Sequence, residues 1–69
     1  MSNNVYSVTE IVGSSEVSIS DAIQTPIAKA SESLRNLEWF EIGSIRGWVK
    51  EGQVGHYQVT MKLGFRYDK

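Results

Sequence analysis

The strongest constraint on the fold is a strict alternation of apolar and polar side chains between residues 56 and 66, within a predicted strand of residues 54–66. Every second residue from Tyr57 to Phe65 is apolar, and the residues between them are polar, charged or glycine. Successive side chains of a β-strand point to opposite faces of its sheet. The pattern therefore predicts a long strand with one face on a core and the other face polar.

A helix is predicted upstream of this strand. Residues 5–12 are rich in β-branched side chains and predict a first strand, which the glycine and serines of residues 13–15 end. Ser18 and Asp21 resemble a capping box, in which the hydroxyl and the carboxylate both satisfy backbone N–H groups at a helix start. Pro26 lies inside this helix and is expected to bend it, because proline removes one helical hydrogen bond. The apolar residues that follow recur every three or four positions and are Ile19, Ala22, Ile23, Ile27, Ala30, Leu34 and Leu37.

After Asn36 the apolar spacing changes to that of a strand, and residues 39–49 form the predicted second strand. Glu51-Gly52 is the predicted turn, because glycine tolerates the positive φ of a tight hairpin. The first two strands are joined through a helix and are expected to run parallel to each other. The third strand runs antiparallel to the second, so a sheet with only antiparallel neighbours needs the third strand in the middle. The sequence predicts an α+β fold, a β-α-β-β chain with a three-stranded antiparallel sheet in the order 1-3-2 and the helix on one face.

The predicted hairpin gives a trial register for the sheet. Lys50 faces Gln53 in this register, and Gln58 faces Ile45. A β-bulge would shift the pairing by one residue and exchange the faces. The side chains expected under the helix are Phe40, Ile42, Met61, Leu63 and Phe65. The face without a helix is expected to carry Trp39, Glu41, Gly43, Ile45, Gly47, His56, Gln58, Thr60 and Lys62, with Glu41 opposite Lys62 as a favourable charge pair. An exposed tryptophan on such a face indicates a contact surface.

Composition favours one small domain, residues 1–69, that associates with copies of itself. A domain of 69 residues is marginal alone, and the absence of cysteine removes disulfides as a means of stabilisation. A single histidine, His56, predicts no metal site. The net charge of −1 without a basic stripe argues against nucleic acid. No apolar run suggests a membrane span or a signal peptide, so a cytoplasmic location is expected. His56 and Tyr57 lack an accompanying nucleophile, and no enzyme activity is predicted.

Three stretches of the chain resemble the dodecin family, namely residues 5–15, residues 37–47 and residues 55–66. The resemblance covers nearly the whole chain. It implies a hollow homododecamer in which flavins lie in stacked pairs between tryptophans of symmetry-related subunits, with a glutamine on the polar edge of the ring. The implied role is flavin storage or sequestration without catalysis.

Carried over by position, the implied stacking residue is Trp39 and the implied polar-edge contact is Gln58. Arg46 and Arg66 stand where bacterial members carry arginines linked to phosphate-bearing ligands. The implied cofactor is FMN, before riboflavin or FAD, and coenzyme A is left open as a further ligand.

Two residues depart from the family pattern. Trp48 stands where the family commonly has histidine, and so does Asn4. Both change the surroundings of a flavin side chain or phosphate, and Trp48 offers a competing stacking surface.

In the trial register Trp39 and Gln58 are separated by about 20 Å along the strands. One ligand that touches both would therefore need two chains. The alternatives left open are a structural homo-oligomer that binds another aromatic nucleotide, such as coenzyme A, and an enzyme that uses flavin for redox chemistry.

Overall fold

A computed structural model of the chain describes residues 4–67. This part contains β1 (Tyr6–Ser15), α1 (Ile19–Ser31), β2 (Leu37–Lys50) and β3 (Gln53–Arg66). β3 lies in the middle of an antiparallel sheet of order β1-β3-β2. The predicted β-α-β-β fold and strand order are therefore confirmed. Across the same residues, no helix is long and apolar enough to cross a membrane.

The start of α1 agrees only in part with the predicted capping box. Ser18 is the N-cap, and its Oγ accepts a hydrogen bond from the Asp21 backbone N–H at 3.0 Å. The predicted role of the Asp21 carboxylate is wrong, because it accepts a hydrogen bond from Ser15 Oγ at 2.7 Å. Ser15 Oγ in turn accepts from the Val17 N–H at 2.9 Å. β1 thus continues to Ser15, past the predicted end, and this serine joins the strand to the helix start.

α1 ends earlier than the apolar spacing predicts. Its last residue is Ser31, and the Leu34 N–H closes a final turn on the Ala30 carbonyl at 2.8 Å. Asn36 has a φ of 62°, which no α-helix can continue through. Leu37 therefore begins β2, although it packs against the same core as Leu34.

The core lies between α1 and the facing side of the sheet. Within residues 4–67 the fully buried apolar side chains are Ala22, Val59, Met61 and Leu63. Gly13 allows the helix to lie this close to β1, because a Cβ there would overlap the carbonyl oxygen of Ala22. So small a core leaves the isolated chain with little apolar burial.

α1 lies mainly over β1 and β3 and leaves the same side of β2 largely uncovered. Phe40 lies on the predicted side of the sheet, opposite Leu63, but the helix does not cover it as expected, and its side chain is 48% exposed. The radius of gyration is 14.5 Å, whereas a compact domain of this length has about 11 Å. Much of the hairpin thus projects beyond the core and leaves apolar surface open.

The hairpin turn and the register next to it are confirmed. Glu51 and Gly52 have positive φ values of 54° and 78°, and Lys50 pairs with Gln53. Glu41 and Lys62 are also cross-strand partners, as the trial register predicted. The hairpin therefore follows the trial register at both of these points.

Between these two points the register is shifted by one residue. Gly43 is an extra residue on β2 and Gly55 is an extra residue on β3, so the two irregularities compensate each other. Gln58 therefore pairs with Arg46, and the predicted pairing with Ile45 is wrong.

The shift exchanges the faces of the central part of β2, as a one-residue change must. Ile45 and Gly47 pair with Val59 and Tyr57 and lie on the helix side, where the sequence placed them on the opposite face. The side chains that lie on the face without a helix instead are Ser44, Arg46 and Trp48.

Candidate ligand-binding face of the sheet

The candidate site is the face of the sheet that points away from α1, called here the bare face. Its members are cross-strand partners that alternate with the core residues. On β1 and β3 they are Tyr6, Val8, Glu10, Val12, Ser14, His56, Gln58, Thr60, Lys62, Gly64 and Arg66. On β2 they are Trp39, Glu41, Ser44, Arg46 and Trp48. All four residues that the family resemblance implied, Trp39, Gln58, Arg46 and Arg66, lie on this face.

Trp39 lies on the bare face and not beneath the helix. It pairs with Gly64, and its indole rests directly on that glycine, since a Cβ on Gly64 would overlap the ring. The Tyr6 ring meets the indole edge to face, with 6.3 Å between ring centroids. The tryptophan remains 39% exposed. The indole is thus braced from two directions and open to a further partner.

Glu38 organises the surroundings of this indole. Its Oε1 accepts a hydrogen bond from the Tyr6 hydroxyl at 2.9 Å, and its Oε2 forms an ion pair with Arg66 Nη1 at 3.1 Å. Arg66 Nη2 also approaches Asn36 Oδ1 at 3.5 Å. Glu38 therefore connects all three strands and holds Tyr6 beside Trp39. Sequence reasoning assigned Glu38 no role, because its two partners lie 32 and 28 residues away.

Arg66 is not a free cation, because Glu38 already holds its guanidinium. A guanidinium has five N–H donors, which is more than these contacts use. Arg66 can therefore bind a further anion next to Trp39 and keep its ion pair with Glu38. Glu38 is an extra residue of β2 between Leu37 and Trp39, and its carboxylate reaches this face. We call Tyr6, Trp39 and Arg66, together with Glu38, the Trp39 end of the bare face.

A second cluster lies further along β3. Gln58 is the cross-strand partner of Arg46, and Trp48 is the partner of His56. The Trp48 and His56 rings stack nearly parallel, with 4.5 Å between centroids and 17° between planes. We call Arg46, Trp48, His56 and Gln58 the Gln58 end of the bare face.

The two ends are too far apart to share one small ring within a chain. Gln58 is six residues from Gly64 along β3, which corresponds to about 20 Å. The observed register leaves this separation unchanged, because it is measured between Gln58 and Gly64, which are both on β3, and Trp39 lies opposite Gly64. One aromatic ring that contacts Trp39 and Gln58 together therefore needs two copies of the chain.

The site contains hydrogen-bonding, cationic and aromatic groups. Among residues 4–67, no three histidine, cysteine, aspartate or glutamate side chains lie close enough together to hold a metal ion. The bare face offers two partly exposed indoles, one side-chain amide and two guanidinium groups. This set of groups can bind a flat aromatic ligand that carries polar edges and phosphate.

Known proteins resemble this chain over nearly its whole length. The family model for Dodecin matches residues 5–68. The dodecin of Thermus thermophilus is 45% identical over 65 residues, which is 94% of each chain. The structure of dodecin from Streptomyces davaonensis is 50% identical, with a TM-score of 0.90 over 99% of this chain and 100% of that one. The structure from Streptomyces coelicolor is 46% identical, with a TM-score of 0.91 over 100% and 99%. The chain therefore belongs to the dodecin family.

Proposed function

We propose that this protein binds flavin, stores it without catalysing a reaction, and assembles into a hollow homododecamer of single-domain subunits spanning residues 1–69. The observation that carries the proposal is the partly exposed Trp39 indole, which Gly64 and Tyr6 brace on the bare face. Membership of the dodecin family supports the same ligand.

Stacking on Trp39 supplies the main attraction in this proposal. The isoalloxazine ring of a flavin is flat and aromatic, and an aromatic pair gains about 0.5–1.5 kcal/mol beyond the burial of its area. Tyr6 and Glu38 already restrict the indole, so little side-chain entropy is lost when the ligand arrives. A ring that is covered on both sides leaves little access for a substrate, which favours storage over turnover.

The binding slot forms between copies of the chain. Because about 20 Å separates Trp39 from Gln58, we place Trp39 of one subunit against Gln58 of a symmetry-related subunit. A two-fold contact would create this combination twice. The amide of Gln58 offers a donor and an acceptor together, as the alternating polar edge of a flavin requires.

Two arginines favour a phosphorylated flavin in this slot. Arg46 is the cross-strand partner of Gln58, and Arg66 lies beside Trp39. Both therefore border the same slot once two subunits meet. A guanidinium binds phosphate through two parallel hydrogen bonds, so FMN is expected to bind more tightly than riboflavin.

Exposed apolar surface supports the assembly. On the helix side of the hairpin, Ile45 is 52% exposed and Val54 is 55% exposed. The core of fully buried residues is small, and apolar burial between subunits would add to it.

Size-exclusion chromatography with simultaneous protein and flavin absorbance tests this proposal. We expect FMN to elute with a species about twelve times the 7.7 kDa subunit mass. Trp39→Ala should lose FMN and keep the assembly. Trp48→Ala is the matched control, because it removes the other indole of the bare face, and it should keep FMN.

Three results would replace the proposal. A Trp39→Ala variant that holds FMN as the unchanged protein does would remove the stacking role. A protein that ignores FMN and binds coenzyme A would be an oligomer for another aromatic nucleotide. Turnover of bound flavin with a reductant and an acceptor would make it an enzyme.

A further inference from the structure

We infer that Trp48 provides a second stacking site, for the adenine ring of a flavin dinucleotide whose flavin ring occupies the slot of Trp39 and Gln58. This inference rests on the proposed function and specifies its ligand class. It is carried by the order of three side chains on the bare face, Gln58, then Arg46, then Trp48.

One face of the Trp48 indole is held and the other is open. His56, on the central strand β3, stacks against it at 4.5 Å between centroids. β2 is an edge strand, so the opposite face of the indole points toward the free edge of the sheet. The Trp48 side chain is 46% exposed. A planar base can therefore stack on an indole whose orientation is already restricted.

Cations lie on both sides of this indole. Arg46 and Lys50 are two residues before and after Trp48 on the same strand and face, about 7 Å away in each direction. Both are exposed. Glu16 also borders the groove beside Trp48, so the three charged side chains together carry one net positive charge. This charge matches a ligand that brings an aromatic base together with phosphate.

The position of Trp48 relative to the flavin slot selects a dinucleotide. Gln58 contacts the flavin ring in the proposed function, Arg46 is its cross-strand partner, and Trp48 follows on the same face. FAD has the same order of groups, a flavin ring, then phosphates, then a second aromatic ring. FMN ends at its phosphate, and riboflavin has no phosphate at all. Neither carries a second aromatic ring that could stack on Trp48.

Calorimetric titration of the full-length protein with FMN and with FAD tests the inference. Loss of one base-stacking contact should weaken FAD binding by roughly tenfold in Trp48→Ala, whereas FMN binding stays unchanged. Trp48→Phe should restore most of the FAD affinity, because it keeps an aromatic face. Val12→Ala is the control, since it shortens an exposed apolar side chain of the bare face that belongs to neither end.

Each other outcome has a definite meaning. Equal effects of Trp48→Ala on FMN and FAD, or no effect on either, would overturn the inference and leave the proposed function standing. Failure of the unchanged protein to bind FMN would instead overturn the proposed function. Coenzyme A carries the adenosine diphosphate group of FAD with an additional 3′-phosphate. If coenzyme A bound through Trp48 and FAD did not, the assignment to a flavin dinucleotide would be wrong.

Discussion

Gly64→Ala should weaken flavin binding without changing any residue that contacts the flavin ring. The Trp39 indole rests on Gly64, and the added methyl group would overlap the ring. The indole can turn outward, because it is 39% exposed. We therefore expect the new methyl group to displace the stacking surface rather than to unfold the sheet.

The size of the effect follows from this displacement. To restore an ordinary carbon–carbon contact of about 3.5–4.0 Å, the ring must move by roughly 1.5–2 Å. A gap of about 1 Å already forfeits up to half of a dispersion contact, so at least half is lost here. Stacking on an aromatic side chain is worth about 1–3 kcal/mol, so the expected loss is at least about 0.5–1.5 kcal/mol, or at least roughly 2- to 10-fold in Kd.

Titration of the purified variant with FMN, followed by quenching of flavin fluorescence, measures this change. Gly43→Ala is the matched control, because a Cβ there would meet its nearest atom, the Thr60 carbonyl oxygen, at an ordinary 3.4 Å. It should bind FMN as the unchanged protein does. If Gly64→Ala formed the same assembly and bound FMN with undiminished affinity, the position assigned to the Trp39 indole would be refuted.

Three further changes test the fold by chemical denaturation. Gly13→Ala should lower the free energy of unfolding by about 1–3 kcal/mol, because its methyl group meets helix backbone that cannot turn aside; an unchanged midpoint would contradict the close approach of α1. Ser18→Ala should lower it by about 0.5–2 kcal/mol through loss of the N-cap, while Ser20→Ala in the first turn should not, and equal effects would argue against this cap. Glu38→Gln should lower it by less than about 1 kcal/mol, with a difference that fades in high salt; a larger loss that salt leaves intact would show that the Arg66 pair is not a surface ion pair.

Local sequence patterns predicted the elements well. The alternation that begins at Tyr57 is found in β3, and the Glu51-Gly52 turn has the two positive φ values that a tight hairpin needs. Ser18 caps α1 as its spacing to Asp21 suggested. Each of these features depends on residues within a few positions of one another, so it is visible in a single sequence.

The bare face could be predicted only in part. The trial register correctly placed Trp39 opposite Gly64, because the extra residue at Gly43 offsets the extra residue at Gly55 before the hairpin reaches this pair. The partner of Gln58 was wrong by one residue, and Trp48 was not assigned to the same face as Trp39. The role of Glu38 was missed, because its ties to Tyr6 and Arg66 exist only once three strands come together.

The sequence by itself determined which segments become strands and helix and their order in the sheet, and it indicated the candidate side chains for an aromatic ligand. Only the tertiary structure decided which of those side chains share a face. The cause is the pair of extra residues at Gly43 and Gly55, which move Ile45 to the helix side and bring Arg46 and Trp48 onto the bare face. A strand that is read alone shows its alternation but not where its partner skips a residue, because that choice depends on pairing across the whole hairpin.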